Sequence, residues 1–294
     1  MIHLGYVGIN TLLQTASKTF RLANYSSERM LEISRKNLHA LREILQWNVA
    51  HRIKLFRITS GLIPFGSHSI NSGIWKKDLR EDFQEIGDFI RRNFLRVSMH
   101  PGQYTVINTP DSETYERSLK DLQYHCAVLD LMELDGSHKI VIHGGGIYGR
   151  RQYSTEVLLQ RLEGMSEPIR KRLVIENDER NFSAADIYTV CKRTGYPGVL
   201  DIFHHQCFPS FKNLGIREIV EHFRETWPDS QRQKIHYSNQ APQKHRGAHS
   251  EGIDLEQFSR FYENVKDMEL DIMLETKDKQ QSVLKVRKSF PEIS

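Results

Sequence analysis

Histidines and carboxylates fall at the ends of short apolar runs along this chain. His100 follows RVSM, His143 follows KIVI, Glu176 follows LVI and Asp201 closes GVLD, with His204 three residues on. His236 lies in KIHY, Glu275 follows LDIML, and His68 and His249 sit in two long polar stretches. Imidazole nitrogens and carboxylate oxygens together suit Zn²⁺ or Mn²⁺, and without a CxxC pair a structural thiolate site is not expected. These nine candidates exceed the needs of one ion. Because a single ion commonly takes four protein ligands and one carboxylate can bridge two ions, the inventory implies a cluster of two or three divalent ions.

Such a cluster serves in-line displacement at phosphorus, by activating water near neutral pH and neutralising charge on the attacking and leaving oxygens. Lys234 lies two residues before His236, so on a strand it points to the same side. It is expected to face the cluster, contacting phosphate or, if carbamylated, a metal. Two other motifs compete. Gly144-Gly145-Gly146-Ile147-Tyr148-Gly149 matches GxGxxG, but it leads into Arg150-Arg151-Gln152 rather than a helix, which argues against a nucleotide cofactor. His143-Gly144-Gly145-Gly146 has the form of an esterase oxyanion loop, yet no GxSxG elbow exists to supply a nucleophile.

What must position these residues is a set of strands. β-branched apolar runs predict strands at 2–7, 54–58, 95–99, 139–142, 172–175, 198–202, 234–237 and 270–274, alternating with amphipathic stretches. Met30, Ile33, Leu38, Leu41 and Leu45 recur near a 3.6 period in one of these, and DSETYERSLKDLQYHCAVLDLMEL opens on an Asp111 or Ser112 cap. The last helical stretch, KDKQQSVLKVRKSF, is weak, and about the last ten residues are read as a tail. Eight alternations in 294 residues without a Pro/Gly/Ser-rich linker predict an α/β protein, a single-domain (β/α)8 TIM barrel. A doubly wound sheet would use fewer strands and show a boundary. In a barrel all the candidate ligands share the C-terminal rim, where reactive residues belong. The loops 60–74 and 238–252 are long enough to be functional.

Around that rim lie residues suited to nucleic acid. His100-Pro101-Gly102-Gln103-Tyr104 puts an amide and an aromatic at a Pro-Gly turn, where they could project into a duplex and replace a displaced base stack. Tyr6 and Asn10 follow the first strand, and Lys244, His245, Arg246, Arg150 and Arg151 bring positive charge for phosphates. The chain's 41 Lys and Arg against 37 Asp and Glu give +4, which permits a polyanionic partner without requiring one. Hydrophobic residues at 38% and charged at 27% exclude wholesale disorder. No apolar run approaches the ~20 residues of a membrane span, and the first residues carry no basic segment followed by an apolar core, so a soluble, cytoplasmic protein is expected. Cys126, Cys191 and Cys207 are an odd set that fits reduced, packed thiols.

The ordered motifs MIHLGYVG, SMHPGQYTV, IHGGG, VIENDER, DIFHH, KIHYSNQ, GAHSEGID and MLETKDK resemble the ultraviolet damage endonucleases of the UvsE/UVDE type, relatives of endonuclease IV on the TIM barrel. The resemblance runs from residue 1 to about residue 285 and rests on several motifs in compatible order. It implies incision of double-stranded DNA immediately 5′ to cyclobutane dimers and 6-4 photoproducts, with 3′-hydroxyl and 5′-phosphate ends. It makes Glu176 the carboxylate bridging a site with His100 and His143 and a site with Asp201, His236 and Glu275, while His204 and His249 hold a third ion. Mn²⁺ is the favoured metal, with Zn²⁺, Mg²⁺ or Co²⁺ as substitutes. Endonuclease IV offers an Asp to the third site where this chain has Gly247, two residues before His249, so that ion has fewer ligands here. Gln103 and Tyr104 correspond to a lesion-probing pair, Tyr6 and His68 to residues lining the lesion and metal site, and Lys234 to a lysine beside the metal ligands; Glu176, Lys234 and His68 are thus the expected catalytic residues, and Asn10 joins Tyr6, Gln103 and Tyr104 as expected DNA contacts. A monomer acting on damaged duplex is expected. Competing readings are an abasic-site endonuclease on the same barrel, a xylose-isomerase-like sugar enzyme, which needs fewer metals, and a non-catalytic damage-binding module.

Overall fold

In a computed structural model of the chain, which describes residues 1–293, eight parallel strands close into a barrel in sequence order. They are β1 (Ile2–Gly8), β2 (Leu55–Ile58), β3 (Arg96–Met99), β4 (Lys139–His143), β5 (Leu173–Glu176), β6 (Gly198–Asp201), β7 (Gln233–Tyr237) and β8 (Leu270–Leu274). All eight expected strands form, with ends displaced by at most one residue. Closure comes from β1 pairing with β8, Ile2 opposite Leu270 through Tyr6 opposite Leu274. The barrel leaves no open sheet edge, so every strand finds backbone partners on both sides.

Each strand is followed by a helix: Ser27–Ala50, Arg80–Arg92, Ser112–Leu131, Arg151–Glu163, Ala184–Thr194, Ile216–Arg224, Leu255–Val265 and Gln280–Ser289. Their starts are written locally. Asp111 caps Ser112–Leu131 by accepting from the Thr114 amide, an interaction worth about 1 kcal/mol, and Ser183 with Asp186 forms a capping box. Helix Ser27–Ala50 buries Met30, Leu38, Leu41 and Leu45, with Ile33 half-buried. These faces cover the outward side chains of the strands, such as Phe56, Ile58, Ile140, Ile142, Ile235 and Ile272, which form the principal core.

The chain's last turns are not a tail. Val286 and Ile293 are buried, and Phe290 packs its ring 5.1 Å from that of Tyr262, because the final helix closes the apolar gap beside β1. Ser294 lies outside the described residues. Among the described residues no helix is long and apolar enough to cross a membrane.

Candidate active site

Alternate residues of a strand face opposite sides, so with Ile58, Ile142 and Ile175 turned out to the helices, Arg57, His143 and Glu176 turn into the barrel. Parallel register then brings the strand ends level: His143 pairs with Glu176, and Asp201 pairs with His236. His100 and Glu275 stand one residue past β3 and β8. The convergence sits at the C-terminal mouth.

Glu176 is the centre of it, with a side chain only 1% exposed. Its Oε2 lies 3.0 Å from His100 Nε2 and 3.3 Å from His143 Nε2, while its Oε1 lies 2.6 Å from His236 Nδ1. Each carboxylate oxygen therefore serves a different donor group. His100, His143 and Glu176 form one, and Glu176, Asp201, His236 and Glu275 the other, each with ligand atoms within 4.8 Å of one another. Burial alone would raise the Glu176 carboxyl, but the charge of His236 and hydrogen bonds from three imidazoles hold it well below the usual carboxylate range.

The second group holds three carboxylates and one imidazole, an excess of negative charge in a buried place. Asp201 shows the consequence: burial, reinforced by Glu176 and Glu275, pushes its carboxyl up to about 6 despite His204 nearby. Its Oδ1 accepts from the His204 amide, while Oδ2 is buried without a hydrogen-bond partner. An unmatched buried polar atom costs about 1–3 kcal/mol, more when charged. A divalent cation would satisfy that oxygen, and the all-N/O donor set suits Zn²⁺ or Mn²⁺. The three cysteines are buried free thiols and take no part; burial pushes the Cys126 thiol up to about 12.

His204 and His249 adjoin these groups. Ring centroids run from His143 to His204 at 5.6 Å and from His204 to His249 at 5.8 Å. The Asn177 carbonyl, 2.9 Å away, accepts from His204 Nδ1 and so turns Nε2 outward. Burial disfavours charge on His204, but Asp201, Glu176 and Glu275 outweigh it and raise the imidazole to about 9. His249 Nδ1 is buried and unpartnered. No carboxylate joins the two histidines within the spacing of the other groups among the described residues. At Gly247 the backbone is left-handed (φ +89°), and a Cβ would come 2.8 Å from Glu179 Cγ, so the space an Asp would use there is already filled.

Not every expected residue joins the centre. Lys234 does point into the barrel, but one side-chain layer below His236, where its register partner is Asp271; its Nζ is fully buried and unpartnered. Burial, with Arg96, Arg57 and Lys139 nearby, drives its ammonium well below the ordinary range. His68 is exposed in its loop, its Nδ1 accepting from the Ile70 amide 3.0 Å away, and makes no contact with the donor groups. Tyr6 and Asn10 are buried: the Tyr6 hydroxyl donates to Asn48 Oδ1 at 2.7 Å and accepts from Asn10 Nδ2 at 3.1 Å. Tyr6 faces outward on β1 under a helix, and neither residue offers an exposed atom to DNA.

Gln103 and Tyr104 lie at the tip of the β3 loop, with Tyr104 84% exposed. Thr105 anchors that tip, its amide bonding Gly102 and its hydroxyl bonding Asp121 at 2.6 Å. A cleft of about 320 Å³ runs from this tip past His100 and His143 to Arg180. Its floor is the triglycine loop, whose Gly145 is left-handed (φ +98°) and whose Gly146 is clamped at both backbone atoms by Asn108. The glycines are thus needed by the loop's path; contrary to the expectation from the sequence, a helix, Arg151–Glu163, does open two residues after Gly149, but the Gly146 amide is already bound to Asn108 Oδ1. Arg150, Lys244, His245 and Arg246 are exposed.

One residue went unnoticed in the sequence. Arg57, on β2, places Nη2 3.0 Å from His236 Nε2 and in an ion pair with Glu275 Oε1. Burial would raise the Glu275 carboxyl; Arg57 and His236 reverse this and hold it well below the carboxylate range. The available signal was a lone cation within the apolar run LFRI, at an inward position.

A family model described as UV-endonuclease UvdE matches residues 2–294. A UV DNA damage endonuclease of Clostridium perfringens is 41% identical over 289 residues, spanning 97% of this chain and 70% of the relative. The crystal structure of SacUVDE superposes with a TM-score of 0.94 at 39% identity, covering 99% of each chain. Endonuclease IV from Thermus thermophilus shares the fold, with a TM-score of 0.59 at 15% identity over 86% of this chain and 95% of that one.

Proposed function

The chain belongs to the UV-endonuclease UvdE family, and from that membership and the geometry above we propose that it is a metal-dependent repair enzyme that nicks duplex DNA immediately 5′ to ultraviolet photoproducts. The products are a 3′-hydroxyl and a 5′-phosphate. The observation that carries this reading is Glu176, whose two oxygens serve two separate donor groups at a barrel mouth.

His100, His143 and Glu176 would hold one cation and Glu176, Asp201, His236 and Glu275 a second, with His204 and His249 available to a third; Mn²⁺ is favoured. Bound there, divalent ions lower the pKa of water toward 7 and neutralise charge on phosphodiester oxygens. The protein's own share is positional. Glu176 sets the spacing of the two groups, and the Asn177 side chain grips both backbone atoms of Asp201, fixing that carboxylate's height. The exposed Gln103 and Tyr104 lie beside the cleft, placed to enter the space left when a badly stacked dimer leaves the helix.

The test uses end-labelled duplexes carrying one cyclobutane dimer, one 6-4 photoproduct or one abasic site, with Mn²⁺ and with or without chelator. Cutting one bond 5′ to both photoproducts, abolished by chelator and slower at the abasic site, is expected. Cutting at the abasic site with no dimer incision would instead assign an abasic-site endonuclease.

A further inference from the structure

The second donor group already carries a cation of its own. Arg57 Nη2 lies 3.0 Å from His236 Nε2 and 3.3 Å from His236 Nδ1, and pairs with Glu275 Oε1; the side chain is 11% exposed. Its Nε is buried with no hydrogen-bond partner. By contrast, among the described residues no lysine or arginine bonds His100 or His143, whose imidazoles meet Glu176 Oε2 instead. Resting on the metal-centre reading above, we propose that Arg57 is an internal competitor for the second metal site, making it the weaker of the two and coupling its filling to the arrival of a phosphodiester.

The competition follows from charge and hydrogen-bond chemistry. A guanidinium is a cation that only donates. Its Nη2 lies within 3.3 Å of both ring nitrogens of His236 and so stands over the imidazole, beside the Nδ1 that meets Glu176 Oε1 2.6 Å away. A metal ion on either ring nitrogen would be held close to that positive charge and repelled by it. Glu275 Oε1, the ion-pair partner of Arg57, is contested directly, so the guanidinium must leave for the second site to fill. The group made of His100, His143 and Glu176 meets no such rival.

A guanidinium displaced from His236 and Glu275 remains at the mouth of the barrel, with donors spaced for two phosphate oxygens. Phosphate that engages Arg57 removes the competitor, so DNA and the second cation tighten each other's binding, and by linkage the effect is reciprocal.

Mn²⁺ titration calorimetry on wild type, Arg57→Met and Arg57→Gln tests this. Wild type is expected to show a tight and a weak phase; in both variants the weak phase tightens by about tenfold or more, while the tight phase is unchanged and reports an intact fold. In wild type alone, adding a short undamaged duplex, with the duplex-only titration subtracted, is expected to tighten the weak phase. A weak phase that is unaltered or weaker in the variants, or insensitive to duplex in wild type, would overturn the proposal while leaving the metal centre standing. No Mn²⁺ uptake by wild type would overturn both.

Discussion

His143 and Glu176 are register partners on adjacent strands, and their side chains meet with Nε2 3.3 Å from Oε2. The backbone register of β4 and β5 thereby brings two residues 33 positions apart to ligand spacing. Shifting either strand by one residue would turn its side chain out of the barrel. The chemistry of the rim depends on that fixed arrangement.

Glu176→Gln keeps size and shape but removes the charge that serves both donor groups. Incision at saturating Mn²⁺ is expected to fall by ~10³-fold or more, the scale of losing several kcal/mol of charge stabilisation. Circular dichroism should be unchanged. Near-wild-type turnover would show that Glu176 bridges nothing.

Replacing Gln103 and Tyr104 together by Ala should leave stability and metal content untouched, because Tyr104 is 84% exposed and the loop is anchored through Thr105. Discrimination of damaged over undamaged duplex is expected to drop by about 1–3 kcal/mol, the worth of one aromatic–base stack. Binding measurements on matched duplexes at equal salt decide it; an equal loss on both would make the pair a general DNA contact.

Burial and two neighbouring carboxylates raise Asp201 to about 6, so a proton and a metal ion compete for it. Above that pH the carboxylate is free to bind. Below it, Mn²⁺ affinity at the second donor group should fall by about tenfold per pH unit. His204, raised to about 9, is protonated at neutral pH, so uptake by His204 and His249 should release a proton and strengthen as pH climbs toward 9. Calorimetry in buffers of different ionisation enthalpy counts the protons. Affinity that is flat between pH 5 and 7 would contradict the Asp201 assignment.

Lys234→Met removes a buried nitrogen with no hydrogen-bond partner from among three cationic neighbours, while Asp271 keeps Arg96 and His3. Replacing an unmatched buried polar group by an apolar chain of similar size relieves its desolvation cost. Urea unfolding at pH 7 should show no loss of stability, and a gain of about 1 kcal/mol is expected. A large loss would mean that Lys234 Nζ is used in the fold.

The barrel and its rim were legible in the sequence because both are written in local patterns. β-branched runs separated by 3.6-period segments declare strands and helices, and a His, Asp or Glu closing such a run lies at a strand end whatever the rest of the chain does. The i, i+2 rule likewise placed Lys234 on the inner face. What it could not supply was depth: whether Lys234 meets His236 or Asp271 depends on the stagger of β7 against β8, a register between segments distant in the chain. The burial of Tyr6 and Asn10 was hidden for the same reason, since their partner Asn48 comes from the following helix and is matched to them only by packing. Arg57 is the fullest case. A single arginine in LFRI reads as a snorkelling surface residue until the ring closes and β8 brings Glu275, and β7 His236, against it. Residue types and periods are properties of short segments, whereas the sharing of one small volume by β2, β7 and β8 is decided only when the barrel shuts.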